Sequence, residues 1–188
     1  MTVSELSLST NTARQVNHVL TNSEVQVRGM RDQFFDARGF IQPGYLNCVL
    51  FPAEGALDLS DFAYPQRADL LGSEKTPVNL IVPDGTWSQA KKIVVREKVW
   101  AELPRVVLPP GPPTEYGLRE TRHPEGVCTF EAVARALGIL EGPSIQEQME
   151  AYFRVRTLRA LWARGVVKAA DVPGGIPEAA RKEGARRK

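Results

Sequence analysis

Apolar residues in this chain follow two alternating patterns, short unbroken runs and helically spaced sets. The clearest runs are Tyr45-Leu46-Asn47-Cys48-Val49-Leu50-Phe51, stopped by Pro52, then Val78-Asn79-Leu80-Ile81-Val82, then Arg105-Val106-Val107-Leu108, which meets the loop Pro109-Pro110-Gly111-Pro112-Pro113. Apolar runs of this length bounded by turn residues predict buried strands. Val25 to Val27 is a shorter strand candidate. Helical spacing predicts a helix from Thr12 to Leu20, with Ala13, Val16 and Leu20 on one face and Thr10 or Asn11 as its cap. Further helices are predicted from Trp87 to Trp100, from Thr129 to Leu140 and from Ile145 to about Ala163. The last two are separated by a C-cap glycine, Gly142, and an N-cap serine, Ser144. Strands alternating with helices argue for an α/β domain, a three-layer and mostly parallel sheet.

Size and composition change this picture little. At 188 residues, with 43% hydrophobic and 24% charged residues, the chain is long enough for one domain with a full core. The domain is expected over residues 1–170, followed over 171–188 by the break Pro173-Gly174-Gly175-Ile176-Pro177 and a basic tail. No run approaches the roughly 20 apolar residues that cross a bilayer, and Met1-Thr2-Val3-Ser4-Glu5 lacks the features of a signal peptide, so a cytoplasmic protein with no membrane partner is expected. Cys48 and Cys128 are too few and too scattered for a disulfide framework or a zinc site, and both are expected to be reduced thiols. A net charge of +2 does not diagnose a nucleic-acid partner. Distribution says more: Arg14, Arg28, Arg31, Arg38, Lys91, Lys92, Arg96, Lys98, Arg119 and Arg122 flank the motifs described next. They form either a basic rim for RNA or an ordinary solvated surface.

The second run leads into Pro83-Asp84-Gly85-Thr86-Trp87-Ser88-Gln89-Ala90-Lys91, an acid, a hydroxyl, an indole and then a basic helix. Ligands of open α/β sheets bind at the carboxyl ends of strands, which makes Asp84 and Trp87 candidates for chemistry. Asp84 and Thr86 are also good N-cap residues, and capping alone accounts for one of them. It does not account for the indole. No Gly-x-Gly-x-x-Gly loop is present, so a dinucleotide fold or a standard Rossmann methyltransferase is not suggested.

Asp84-Gly85-Thr86-Trp87 followed by Gln89-Ala90 and Lys91-Lys92 resembles the signature of the DTW-domain proteins. Ser9-Thr10-Asn11-Thr12-Ala13-Arg14 is similar to the family's Asn-Thr segment, and Val127-Cys128-Thr129-Phe130-Glu131-Ala132 to its Leu-Ser-Thr-x-Glu-Ala segment. The ordered set covers roughly residues 9 to 165. The resemblance implies an α/β fold related to the SPOUT methyltransferases, with a C-terminal knot in the cofactor-binding region. It also implies an enzyme that moves the 3-amino-3-carboxypropyl group of S-adenosylmethionine to N3 of a uridine in tRNA, with no protein partner expected.

Under that resemblance, Asp84 is the candidate to take the weakly acidic N3 proton as the new bond forms. Its other readings are orientation of the ribose, hydrogen bonding within the loop, or capping. Trp87 would pack against the cofactor, its indole gaining cation–π attraction beside the sulfonium, or would simply anchor the helix to the sheet. Thr86 joins the cofactor-binding set, although its hydroxyl fits a helix cap. Leu108 and Pro109 would line the adenosine pocket. Thr129 and Glu131 open a helix whose free N–H groups could meet the cofactor's carboxylate, with Glu131 receiving its ammonium group. Asn11 and Thr12 would touch the pocket or the RNA, though capping explains both. Arg14, Lys91, Lys92, Arg119 and Arg122 complete the RNA-binding set; His123, beside Arg122, is more simply a surface residue.

The chain departs from the family in two ways. Many members carry a cysteine cluster that looks metal-binding, then a strand and a His-Pro-x-Glu segment, ahead of the Asn-Thr motif; this sequence contains neither, and no zinc is expected. Cys128 stands where the family usually has Ser, and a thiol is the poorer hydrogen-bonding group. Two alternatives stay open, a SPOUT-like RNA methyltransferase and a non-catalytic RNA-binding relative.

Overall fold

The computed structural model describes residues 1–63, 76–119 and 126–181. Arg122, His123 and the last residues of the basic tail lie outside them. The strands are β1 (Leu46–Leu50), β2 (Leu57–Asp58), β3 (Val78–Ile81) and β4 (Arg105–Val107). They form one sheet in the order β2-β4-β1-β3, parallel throughout. The helices are α1 (Ala13–Val19), α2 (Trp87–Arg96), α3 (Thr129–Glu141) and α4 (Pro143–Ala163). Among the described residues no helix is long and apolar enough to cross a membrane.

β1 lies between β3 and β4, pairing Leu46 with Val78 and Leu50 with Val106. Helices cover both faces of a parallel sheet, which is why its strands read as unbroken apolar runs rather than alternating ones. Side chains alternate across the pleat, so the adjacent residues Cys48 and Val49, both at 0% exposure, enter different cores. Val49 and Ile81 pack with Ile93 and Val94 of α2 and with Trp100. Cys48 and Val106 pack with Leu59, Phe62 and, from α3, Ala136 and Leu140. The result is the expected three-layer arrangement. A third core lies beyond α3, where Phe130 stacks on Phe153 of α4 with ring centroids 4.5 Å apart. The residue next to Thr129 is thus fully buried, and truncating such a phenylalanine costs about 3–5 kcal/mol.

Several expectations change in detail. Val25 to Val27 is not a strand; only Arg28 bridges to Thr2. β2 falls in a stretch with no apolar run, and its Leu57 is exposed. α2 stops at Arg96, and a separate 3-10 turn carries Trp100, whose indole N–H reaches Ala37 O at 2.9 Å while Phe35 and Phe40 meet the ring edge-on. Ser144 is not the cap of α4. Gly142, at φ 118°, serves as C-cap of α3 and N-cap of α4, and Pro143 fills the first helical position, where a missing N–H costs nothing. After α4 the chain packs back: Val172 and Ile176 are buried and Gly175 O accepts from Arg159 Nε at 3.3 Å.

Candidate active site

A cavity of about 620 Å³ opens at the carboxyl ends of β1, β3 and β4, a volume typical of small-molecule sites. Phe51, Val82 and Val107 each follow or end a strand on its floor, and Leu108 and Pro109 continue it. Thr129, Ala132 and Arg135, spaced along one face of α3, form a wall. Trp87, first residue of α2, is 47% exposed and lines the mouth with its ring 5.9 Å from that of Phe51. The predicted Trp87, Leu108, Pro109 and Thr129 therefore meet in one place.

The turn that delivers Trp87 is built by its own sequence. Thr86 is the N-cap: its hydroxyl accepts from Gln89 N–H at 3.4 Å, and its own N–H donates to Gln89 Oε1 at 2.8 Å. This reciprocal box satisfies two of the donors that a helix start leaves open. Gly85 makes it possible, because it sits at φ 146° and a Cβ there would stand 2.9 Å from Gln89 Oε1. Thr86 is exposed, occupied by capping, and outside the cavity lining.

Asp84 does not cap the helix and does not line the cavity. It is 5% exposed, and each carboxylate oxygen has a long-range partner. Asn11 Nδ2 donates to Oδ2 at 2.9 Å and Thr129 Oγ1 donates to Oδ1 at 2.6 Å. All three sequence motifs thus converge on one buried carboxylate. The N-cap position of α1 is Thr12, not Thr10 or Asn11, and its side chain makes no capping bond; Asn11, one residue before it, accepts from Arg14 N–H at 3.2 Å, and Thr12 Oγ1 accepts from Phe130 N–H at 3.3 Å. Asn11 and Thr12 are buried connectors between α1, the loop after β3 and α3, and neither lines the cavity.

Glu131 is likewise buried and fully engaged. It accepts from Cys128 N–H at 3.0 Å, from Glu115 N–H at 2.9 Å and from the Thr114 hydroxyl. Its carboxylate ties the loop before α3 to the start of that helix, and it lines not the main cavity but a second one of about 260 Å³. With Cys128 N–H held by Glu131 and Phe130 N–H held by Thr12, two of the first free donors of α3 are already used. The Cys128 thiol sits where a capping hydroxyl would stand. Burial, and secondarily the charge of Glu131, push its pKa up to about 12, so it stays protonated. Burial alone pushes Cys48 equally high, and both cysteines are free.

The basic residues divide. Lys91 and Lys92 are exposed on α2, close in sequence to Trp87. Arg14 is exposed, with Nη1 3.3 Å from Leu6 O. Arg119 is tied inward, its Nη2 2.8 Å from the buried Glu5 carboxylate and its Nε 2.9 Å from Thr10 Oγ1. Two residues outside the sequence motifs, Arg135 and Phe51, also line the cavity. Arg135 lies six residues after Thr129, and its i, i+3, i+6 relation to Thr129 and Ala132 was the signal that could have found it.

The DTW domain family profile matches residues 1–161. Over 114 residues the chain is 32% identical to tRNA-uridine aminocarboxypropyltransferase 2 of Macaca fascicularis and, equally, to the protein of that name in Mus musculus. The match covers 60% of this chain and 34% of each relative, so the chain spans about a third of the length of those curated relatives. No solved structure matches. With its three motifs gathered around Asp84 and a family match across most of its length, this chain belongs to the DTW-domain family.

Proposed function

We propose that this chain transfers the 3-amino-3-carboxypropyl group of S-adenosylmethionine to N3 of a uridine in tRNA, within a SPOUT-like fold whose knotted part follows β4. The observation that carries the reading is the hydrogen bond between Thr129, on the cavity wall, and the buried Asp84 behind it. The names of the two mammalian relatives support the choice of group and of RNA.

The cavity suits such a donor: it is largely apolar, has an aromatic side for the nucleoside and sulfonium, and carries a cation on its wall. When bound, the donor supplies an electrophilic carbon beside sulfur, whose bond electrons leave with a neutral thioether as the N3–carbon bond forms. The protein's task is to dispose of the N3 proton. Asp84 does not line the cavity, but Thr129 does, and its hydroxyl donates to Asp84 Oδ1. Thr129 accepts the N3 proton while passing its own to Asp84, and Asn11 Nδ2 holds the other carboxylate oxygen in place. Trp87, Leu108 and Pro109 hold the adenosine. Lys91, Lys92 and Arg14 meet tRNA phosphates, with residues 182–188 adding nonspecific basic affinity.

Nucleoside mass spectrometry of tRNA from cells lacking and re-expressing the gene tests the reading. Aminocarboxypropyluridine should disappear and return. Loss of a methylated nucleoside instead, or no change in any tRNA nucleoside, overturns it.

A further inference from the structure

We propose that Arg135 is the residue that binds the α-carboxylate of the donor's amino-acid arm, and thereby sets which carbon of the sulfonium faces the uridine. The inference rests on the donor reading above. Arg135 stands on α3 between the two cavities and lines both, the second one beside Glu115, Glu131 and Glu150, and its Nε is buried with no hydrogen-bond partner among the described residues. The acids around it are committed elsewhere: Glu131 to Cys128, Glu115 and Thr114, Glu150 to Gln146 at 2.8 Å, and Glu115 to Arg154 at 3.2 Å. A guanidinium whose inner nitrogen is desolvated and unpaired, beside an apolar wall, favours an incoming anion, and its planar fork matches a carboxylate with two parallel bonds.

The donor offers one anion to meet it. Its sulfonium and ammonium groups are cationic, its adenosine is neutral, and only the α-carboxylate is negative. The start of α3, the other expected carboxylate site, has Cys128 and Phe130 N–H groups already bonded within the protein. Room for the arginine head is also built in: a Cβ added to Gly111, on the facing loop, would stand 3.2 Å from Arg135 Nη1. Along α3, Arg135 is about 9 Å from Thr129 at 1.5 Å per residue, and helical side chains lean back toward the N-terminus. An amino-acid arm anchored at Arg135 therefore extends toward the hydroxyl that takes the N3 proton. Fixing the arm at its carboxylate selects the carbon presented to the nucleophile.

Calorimetry with S-adenosylmethionine and with 5′-methylthioadenosine, which lacks the arm, tests this on the full chain and on Arg135→Met, with thermal melting as the folding control. Wild type should bind both. Arg135→Met should bind S-adenosylmethionine about 10-fold or more weakly, in keeping with loss of a charge-assisted pair, and 5′-methylthioadenosine within about twofold of wild type. Arg135→Lys should fall between. Equal loss for both ligands would make Arg135 a structural residue, and an unchanged affinity for S-adenosylmethionine, or a loss seen only in tRNA binding, would also overturn the assignment. If wild type itself binds neither ligand, the donor reading falls first.

Discussion

The Thr129 hydroxyl donates to Asp84 Oδ1 across 2.6 Å, joining the first residue of α3 to the loop after β3 over a separation of 45 residues. A short hydrogen bond to a carboxylate that has a second donor on its other oxygen is a brace, and in the proposed reaction it is also the path for a proton. The two roles respond differently to substitution.

Thr129→Val keeps the shape of the wall and removes the path. The expected outcome is a transfer rate lower by about 10²-fold, the size of a lost proton-transfer group, with donor affinity nearly kept. Thr129→Ser should retain most of the rate. Single-turnover transfer to unmodified tRNA beside calorimetry measures both, and a normal rate in Thr129→Val would show that the proton leaves by another route.

Asp84→Asn removes the acceptor of the proton. An asparagine can turn its carbonyl oxygen to Asn11 Nδ2 and its amide to the Thr129 oxygen, so the fold should survive at a cost of about 1–3 kcal/mol while transfer drops about 10²-fold. Asp84→Ala removes the 2.9 Å partner of the buried Asn11 amide, leaving it only the 3.4 Å bond to Glu5 Oε2, and should lower the melting temperature further. Comparing the two variants by thermal melting and transfer rate separates brace from proton acceptor: near-normal transfer in Asp84→Asn would leave only the brace.

Lys91 and Lys92 are exposed on α2, the helix that begins at the mouth residue Trp87. Replacing both with alanine should weaken tRNA binding, lower the slope of log affinity against log salt by roughly 2, and leave donor affinity unchanged. Filter binding across a salt series checks this. An unaltered slope would mean that the RNA approaches by another face.

Stability should fall at high pH because of the two cysteines. Burial raises both folded pKa values to about 12 from an ordinary value of 9.0, so above pH 9 the unfolded chain binds fewer protons than the folded one. By linkage the free energy of unfolding then declines through the window from about 9 to about 12. Urea titrations at pH 8 and pH 10 on the wild type and on Cys48→Ala/Cys128→Ser should show a smaller decline in the double variant. The same protonated state predicts that neither thiol is alkylated by iodoacetamide at pH 8 before the protein unfolds.

The strands β1, β3 and β4 were legible because a sheet covered on both faces writes itself as unbroken apolar runs, and α3 and α4 because their apolar residues keep helical spacing on either side of a local break at Gly142-Pro143, although the cap of α4 is Gly142 and not Ser144. β2 was not, since two residues, one of them exposed, leave no periodic trace. The site was legible as a set of motifs but not as a set of contacts. Asp84 reads equally well as a cap until Thr86 is seen to fill that place and Asn11, 73 residues away, to bond the carboxylate. Glu131 reads as a ligand for an ammonium group until the loop at Thr114 and Glu115 closes on it. Arg135 was missed for the converse reason: its interest lies in what it does not touch, and no local pattern encodes that.

The bonds from Asn11 and Thr129 to Asp84 also bear on the order in which the protein is made. Segments near residues 11, 84 and 129 must all have left the ribosome before the carboxylate has both its donors, and a nascent chain ending near residue 120 holds Asp84 without its α3 partner. Contacts of such long sequence separation form slowly, because loop closure is unfavourable until the distant partners engage. Acquisition of ligand binding during synthesis should therefore be abrupt and late, coinciding with the emergence of α3 rather than growing with chain length.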